Sequence, residues 1–214
     1  MKIELLNEDC MVVMSRYPDN HFDLAITDPP YFKIAGSKIF PGSEISTTGV
    51  KRNRFESKEW KVPGQFWLDE LVRISKHQII WGINYMPFSH SVGRIVWDKM
   101  NDHSSFSKCE IASASMHYGV HQFRYLWNGM LQGDMKNKEK RIHPTQKPVK
   151  LYEWLLSNYA KEGDRILDTH LGSGSSAIAA YNMKFDFVGT ELDKDYYIAC
   201  KERFNQHTKQ FRMF

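Results

Sequence analysis

A chain of 214 residues has room for one α/β domain with a full core, or for a domain with a small appendage. Its 42% apolar and 25% charged residues are those of a soluble globular protein, and no apolar run reaches the length of a membrane span, so a membrane protein is not expected. The net charge of +4 is modest but uneven: residues 33–61 hold seven Lys/Arg against three Glu, and residues 134–150 hold six against two acids, leaving an acidic remainder. Two basic segments on an acidic body suit a polyanion, although each taken alone also fits a solvated loop. Cys10, Cys109 and Cys200 lie far apart without metal-ligand spacing and read as free thiols of a reducing compartment; with no signal-peptide pattern at the amino terminus, a cytoplasmic location is expected. His117 and His121 are four apart, but the intervening Gly119 argues against a helix, so no metal site is expected.

Residues 2–6 read as a strand, and Asp9 to Tyr17 as a short amphipathic helix stopped by Pro18-Asp19-Asn20. The apolar run Phe22–Thr27 reads as a buried strand that delivers Asp28-Pro29-Pro30-Tyr31 into a turn. Two prolines fix φ and remove two backbone donors, so this turn is stiff and offers acceptors. By itself it could also be an ordinary proline turn. Residues 32–58 read as a long, functional or mobile loop. A helix is expected over 63–75, strands over 77–82 and 94–97 and from Glu110 to Tyr118, and an irregular basic segment over 119–141 that interleaves Arg124, Tyr125 and Trp127. Pro148 suits the first position of a helix running to about Ala160.

Arg165–Asp168 reads as a strand, Leu171-Gly172-Ser173-Gly174-Ser175-Ser176 as a glycine-rich turn opening a helix, and Phe185–Thr190 as the next strand, with Glu191 at its end and Asp193 capping a last helix to about Phe204. Strand, glycine turn, helix, strand and acidic residue make a βαβ nucleotide-binding unit, in which Glu191 can take both ribose hydroxyls. The turn lacks the G-x-G-x-x-G pattern, which disfavours a nicotinamide cofactor and a dinucleotide oxidoreductase.

Asp28–Tyr31, the segment His143-Pro144-Thr145-Gln146-Lys147-Pro148 and the run Ile166–Gly174 together resemble three linked motifs of the S-adenosylmethionine-dependent DNA amino-methyltransferases. The catalytic motif precedes the glycine motif, which is similar to the circularly permuted order of the β class. The resemblance spans nearly the whole chain and includes Asn7–Cys10, Gln78–Tyr85 and Arg94–Lys99. It implies an α/β, Rossmann-like methyltransferase fold, with a mostly parallel twisted sheet and helices on both faces. Residues 1–214 would form a single domain carrying a mobile loop at 32–58 and a small recognition insertion at 119–141.

Residue by residue, the resemblance implies that Asp28 and the Pro29 carbonyl hold the target amine, with Pro30 stiffening the turn and Tyr31 stacking on a flipped base. Asp28 would also stand near the methionine amino group of the cofactor. Asp9 would accept from the cofactor adenine beside the Cys10 backbone. Gly172, Gly174 and Ser175 would line the methionine end, Thr145 and Lys147 its carboxylate, and Glu191 the ribose, while Asp168 shapes the turn. Phosphate and base contacts to double-stranded DNA are expected from Lys33, Lys38, Lys51, Arg52, Arg54, Arg124, Lys138, Lys140 and Arg141. The short second segment favours a short target site or help from a second subunit, as in a homodimer. An Asp heading the motif is similar to the adenine-N6 enzymes. N4-cytosine methylation and a catalytically impaired DNA-binding protein of the same fold are the alternatives. The chain departs from the family in one place: the usual Asp-Pro-Phe is Asp168-Thr169-His170, and weaker cofactor packing is expected there.

Overall fold

The computed structural model describes residues 1–35, 55–56, 58–102, 107–128 and 131–211. In chain order these form β1 (Ile3–Leu6), α1 (Cys10–Met14), β2 (Phe22–Thr27), β3 (Ile34–Ala35), β4 (Lys58–Glu59), α2 (Gln65–Ile74), β5 (Ser75–Trp81), a 3-10 turn (Ile83–Tyr85), β6 (Gly93–Asp98), β7 (Cys109–Ala114), β8 (Val120–Arg124), β9 (Trp127–Asn128), β10 (Leu131–Gln132), α3 (Val149–Tyr159), β11 (Arg165–Asp168), α4 (Ser175–Asn182), β12 (Asp186–Thr190) and α5 (Lys194–Phe211).

One eight-stranded sheet has the order β1-β12-β11-β2-β5-β7-β6-β8. The first five strands in that order are parallel, β7 runs against both its neighbours, and β8 runs parallel to β6. Alternation along β2 sorts the core. Leu24 and Ile26 pack with Leu151, Leu155, Ala177 and Ala180 of α3 and α4, whereas Ala25 packs with Met14, Trp67 and Leu71 of α1 and α2. A strand covered on both faces must be apolar on both, which is why 22–27 reads as a nearly continuous apolar run.

The chain crosses from β11 to β12 over the α4 face and from β2 to β5 over the opposite, α2 face. The two crossovers leave adjacent strands in opposite directions. They open a crevice at the carboxyl ends of β11 and β2, where doubly wound sheets bind ligands. The Thr27 and Thr169 hydroxyls bridge it at 2.8 Å, and the Thr169 carbonyl accepts from Thr190 Oγ1 at 2.8 Å, so β2, β11 and β12 are tied together at this edge.

Most expected elements are present within a few residues, including the strand 165–168. Three differ. The segment 119–141 is not wholly irregular: Val120–Arg124 forms the edge strand β8, and β9 pairs with β10. Most of β8 is exposed, so it lacks the buried alternation by which a strand is recognised. The strand expected from Glu110 to Tyr118 ends at Ala114, and the last helix continues past Phe204 to Phe211. Most of the expected loop 32–58, with Lys38, Lys51, Arg52 and Arg54, lies outside the described residues; its flanks pair as β3 and β4.

Candidate active site

Asp28 follows β2 directly and so stands at the crevice. Its carboxylate is held by two side chains, one of them from a distant part of the chain. Lys147 Nζ donates to Asp28 Oδ2 at 2.6 Å, and the Tyr31 hydroxyl donates to Asp28 Oδ1. The same ammonium reaches Glu110 Oε2 at 2.8 Å and the Tyr31 hydroxyl at 3.1 Å, and lies over the Trp81 ring. Glu110 also pairs with Lys99. Strand direction explains the meeting: β7 is antiparallel, so its first residues share the edge where β2 and β6 end, and Trp97 on β6 is in register with Glu110.

Charge alternates along Lys99, Glu110, Lys147 and Asp28. Burial raises the Asp28 carboxyl, Lys147 opposes that, and Glu110 adds to it, leaving the carboxyl above its ordinary value. Burial also works against an ionised Glu110, but Lys147 and Lys99 hold that carboxyl down at about 2. Lys147, only 3% exposed, is disfavoured by burial and stays charged because Asp28 and Glu110 face it. A carboxylate has about four lone-pair sites, so Asp28 retains acceptor capacity beyond Tyr31 and Lys147.

Tyr31 packs flat against its surroundings. It stacks on Tyr85 with ring centroids 5.4 Å apart, and the half-exposed Phe32 adjoins both rings. Pro29 is buried and Pro30 half-buried beneath them. The result is an aromatic mouth beside an acceptor carboxylate.

The glycine turn lies on the other side of the crevice. Gly172 (φ +50°) and Gly174 (φ +73°) take the left-handed conformation, and a β-carbon on Gly174 would stand 2.5 Å from Cys200 Sγ. Glu191 accepts from the Gly172 and Asp193 amides, each at 2.9 Å, which fixes its carboxylate after β12 and leaves lone pairs for hydroxyl donors. Asp168 is buried and accepts from Ser176 Oγ at 2.6 Å and the His170 amide at 2.9 Å, consistent with shaping the turn. Asp9 caps α1 through the Met11 amide at 2.8 Å, and burial, with Asp9 beside it, pushes the Cys10 thiol up to about 12. The left-handed turn, the anchored Glu191 carboxylate and Asp9 share one edge of the sheet, an arrangement that fits a ribose-bearing cofactor.

Two of the expected cofactor residues make contacts within the protein. The Lys147 ammonium donates to the Tyr31 hydroxyl and forms ion pairs with Asp28 and Glu110, so it stands on the Asp28 side of the crevice. The Ser175 hydroxyl donates to the Lys147 carbonyl at 2.7 Å and accepts from Arg203 Nη1 at 3.0 Å, so it locks the turn to the Lys147 segment. Thr145 is exposed, its hydroxyl 3.2 Å from His143 Nδ1.

At the departure from the family pattern, Thr169 supplies the cross-strand bond and His170 sits edge-on to Trp67 at 5.7 Å. Burial lowers the His170 imidazole to about 4, so it is neutral at physiological pH.

Among the expected DNA contacts, Lys33, Lys138 and Lys140 are exposed, and Arg124 is exposed while pairing with Asp98 at 2.9 Å. Arg141 is half-buried and donates to the Pro144 carbonyl at 2.6 Å, bracing the 143–148 segment.

Sequence reading missed Glu110, Lys99, Arg203 and Glu139. Arg203 donates to the Ser173 carbonyl at 2.7 Å and pairs with Glu139 at 2.6 Å, so α5 braces the glycine turn. The available signal for Glu110 was an acidic residue opening the apolar run 111–114, which also describes a solvated strand end. No group of three or more metal-ligating side chains occurs among the described residues, and none of their helices is long and apolar enough to cross a membrane.

Known proteins are similar to this chain in sequence and in fold. Residues 98–202 match the DNA methylase model of the N6/N4 family, a span that contains Lys147, the glycine turn and Glu191. The type II methyltransferase M2.LlaDCHI of Lactococcus lactis subsp. cremoris is 25% identical over 242 aligned positions, covering 94% of this chain and 89% of its own length. M2.DpnII of Streptococcus pneumoniae is likewise 25% identical, with 94% and 89% covered. The fold is that of M1.HpyAVI crystallised with S-adenosylmethionine (TM-score 0.56, 18% identity, 94% and 99% covered) and of the cytosine-N4-specific PvuII DNA methyltransferase (TM-score 0.58, 12% identity, 99% and 92% covered). The chain is thus similar to the N6/N4 DNA methylase family over residues 98–202, and to type II methyltransferases over 94% of its length.

Proposed function

We propose that this protein transfers a methyl group from S-adenosylmethionine to the N6 amine of adenine in double-stranded DNA, after extruding the base from the helix. The observation that carries the reading is the Asp28 carboxylate, fixed at the switch-point crevice between an aromatic mouth and a glycine turn that leads to Glu191.

An exocyclic amine is a weak nucleophile because its lone pair is delocalised into the ring. Asp28 and the Pro29 carbonyl accept its hydrogens and favour the pyramidal form that bears a developing positive charge. Tyr31, with Tyr85 beside it, offers a face for the flipped base. Glu191, Asp9, Gly172 and Gly174 hold the cofactor, which supplies an electrophilic methyl group when bound. Transfer then depends on alignment, and no strong base is needed because the nitrogen becomes acidic once alkylated. Lys33, Lys138, Lys140 and Arg124 contact the DNA backbone, and residues 1–214 act as one methyltransferase domain with the 119–141 insertion on the DNA side.

The test is to incubate the protein with unmethylated genomic DNA and S-adenosylmethionine, digest to nucleosides and identify methylated bases by mass spectrometry. N6-methyladenine that disappears with Asp28→Ala, at unchanged DNA affinity, supports the reading. N4-methylcytosine would keep the mechanism and overturn the choice of base. No product from the wild-type chain would favour a DNA-binding protein of this fold.

A further inference from the structure

We infer that Glu110 is a positioning residue for methyl transfer, which holds Lys147 between two carboxylates and thereby leaves Asp28 able to accept from the target amine. The inference rests on the proposed methyltransferase reading, and it concerns a residue outside the three motifs.

Consider Lys147 without Glu110. Its ammonium would have one buried carboxylate nearby, Asp28 at 2.6 Å, and would direct its donors there. An acceptor saturated by an ammonium is a poor acceptor for an amine. Glu110 at 2.8 Å draws the ammonium the other way, and Lys99 on the far side balances the charge of Glu110. Four groups of alternating sign thus end at Asp28, which stands at the crevice. Lone buried charges are costly, so removing one member shifts the others.

The charged and titratable neighbours come from every element around the cluster: Asp28 and Tyr31 after β2, Lys99 after β6, Glu110 on β7, Lys147 before α3, Tyr152 on α3 and Asp168 on β11. The Glu110 charge favours a protonated Lys147 and a protonated Asp28; the Lys99 charge opposes both. The two residues therefore act in opposite directions on the same pair, which a purely structural role would not produce.

The test measures single-turnover methyl transfer to unmethylated genomic DNA from about pH 5 to about pH 10 for the wild type, Glu110→Gln and Lys99→Gln, with S-adenosylmethionine affinity followed by calorimetry. Glu110→Gln is expected to lower the rate about tenfold or more and to move the acidic and alkaline limbs down by about half a pH unit or more. Lys99→Gln moves them up, and Glu110→Asp restores the wild-type limbs in part. If the wild-type profile is flat, Glu110→Gln brings the alkaline limb into range, or Lys99→Gln the acidic one. Cofactor affinity changes by less than about threefold in each variant, since neither residue touches the glycine turn. Limbs that stay in place in both variants, with or without a uniform loss of rate, overturn the inference and leave the methyltransferase reading intact. A wild-type chain that makes no methylated base overturns the reading itself.

Discussion

The Tyr31 ring lies so close over Gly82 that a β-carbon at Gly82 would overlap the ring carbons. Gly82 directly follows β5 and has φ +68°, so its lack of a side chain serves both the turn and the seat of the aromatic ring. Gly82→Ala is expected to cost about 1–2 kcal/mol from the left-handed backbone alone. It also lifts Tyr31 off its seat and away from Asp28. Methyl transfer should fall by more than the loss in melting temperature accounts for. Equal proportional losses in stability and turnover would place Tyr31 outside the reaction.

Glu191 fixes the end of β12 and faces the glycine turn at the same time. Glu191→Ala leaves the Gly172 and Asp193 amides without their acceptor and removes the group proposed for the ribose. Hydrogen bonds to a charged group contribute about 1.5–3 kcal/mol each, so calorimetry should show cofactor binding weakened at least about tenfold. DNA affinity without cofactor should be unchanged. If cofactor binding survives intact, the ribose lies elsewhere.

Asp168 makes stability depend on pH. Burial pushes its carboxyl up to about 7, even with Ser176 and His170 donating to it. In the unfolded chain the same group titrates near about 3.9. The folded protein therefore holds a proton that the unfolded chain has lost between these values. Its cost is absent below about pH 4, grows as pH rises towards about 7, and is constant above that. Asp168→Asn removes the titration and keeps an acceptor for the His170 amide. Unfolding free energies from urea titrations between about pH 4 and about pH 8 should fall for the wild type relative to this variant, by an amount on the order of a few kcal/mol. Parallel curves for the two proteins would mean that Asp168 is ionised at neutral pH.

Lys138 and Lys140 are exposed at the start of the segment leading to Lys147. If they meet phosphates, Lys138→Ala and Lys140→Ala each weaken DNA binding regardless of sequence. Each also reduces the slope of log affinity against log salt by about 0.9. Fluorescence anisotropy at several salt concentrations reads both effects. An unchanged slope assigns the basic segment to the protein surface alone.

The half of the site built on local pattern was legible from the residues. The apolar run ending in Asp28-Pro29-Pro30-Tyr31, and the spacing from Gly172 to Glu191, announce strand ends and turns directly, and the structure places these groups along one sheet edge. What pattern could not supply was pairing across strands. Glu110 reaches Lys147 because β7 runs antiparallel between β5 and β6, and no local periodicity encodes that direction. The neighbours of Lys147 were hidden for a related reason. Its motif implies a cofactor contact, and its ammonium also meets residues 28, 31 and 110, whose proximity exists only in the folded chain. The strand β8 escaped because its side chains are mostly exposed and polar.

The cluster around Lys147 also bears on recombination between relatives. Its members come from the first third, the middle and the last third of the chain, yet they share one set of charges. A chimera joined between Asp28 and Lys99, or between Glu110 and Lys147, inherits the set from two parents. Such chimeras work only where both parents carry matching charges, however well the crossover respects the strands and helices.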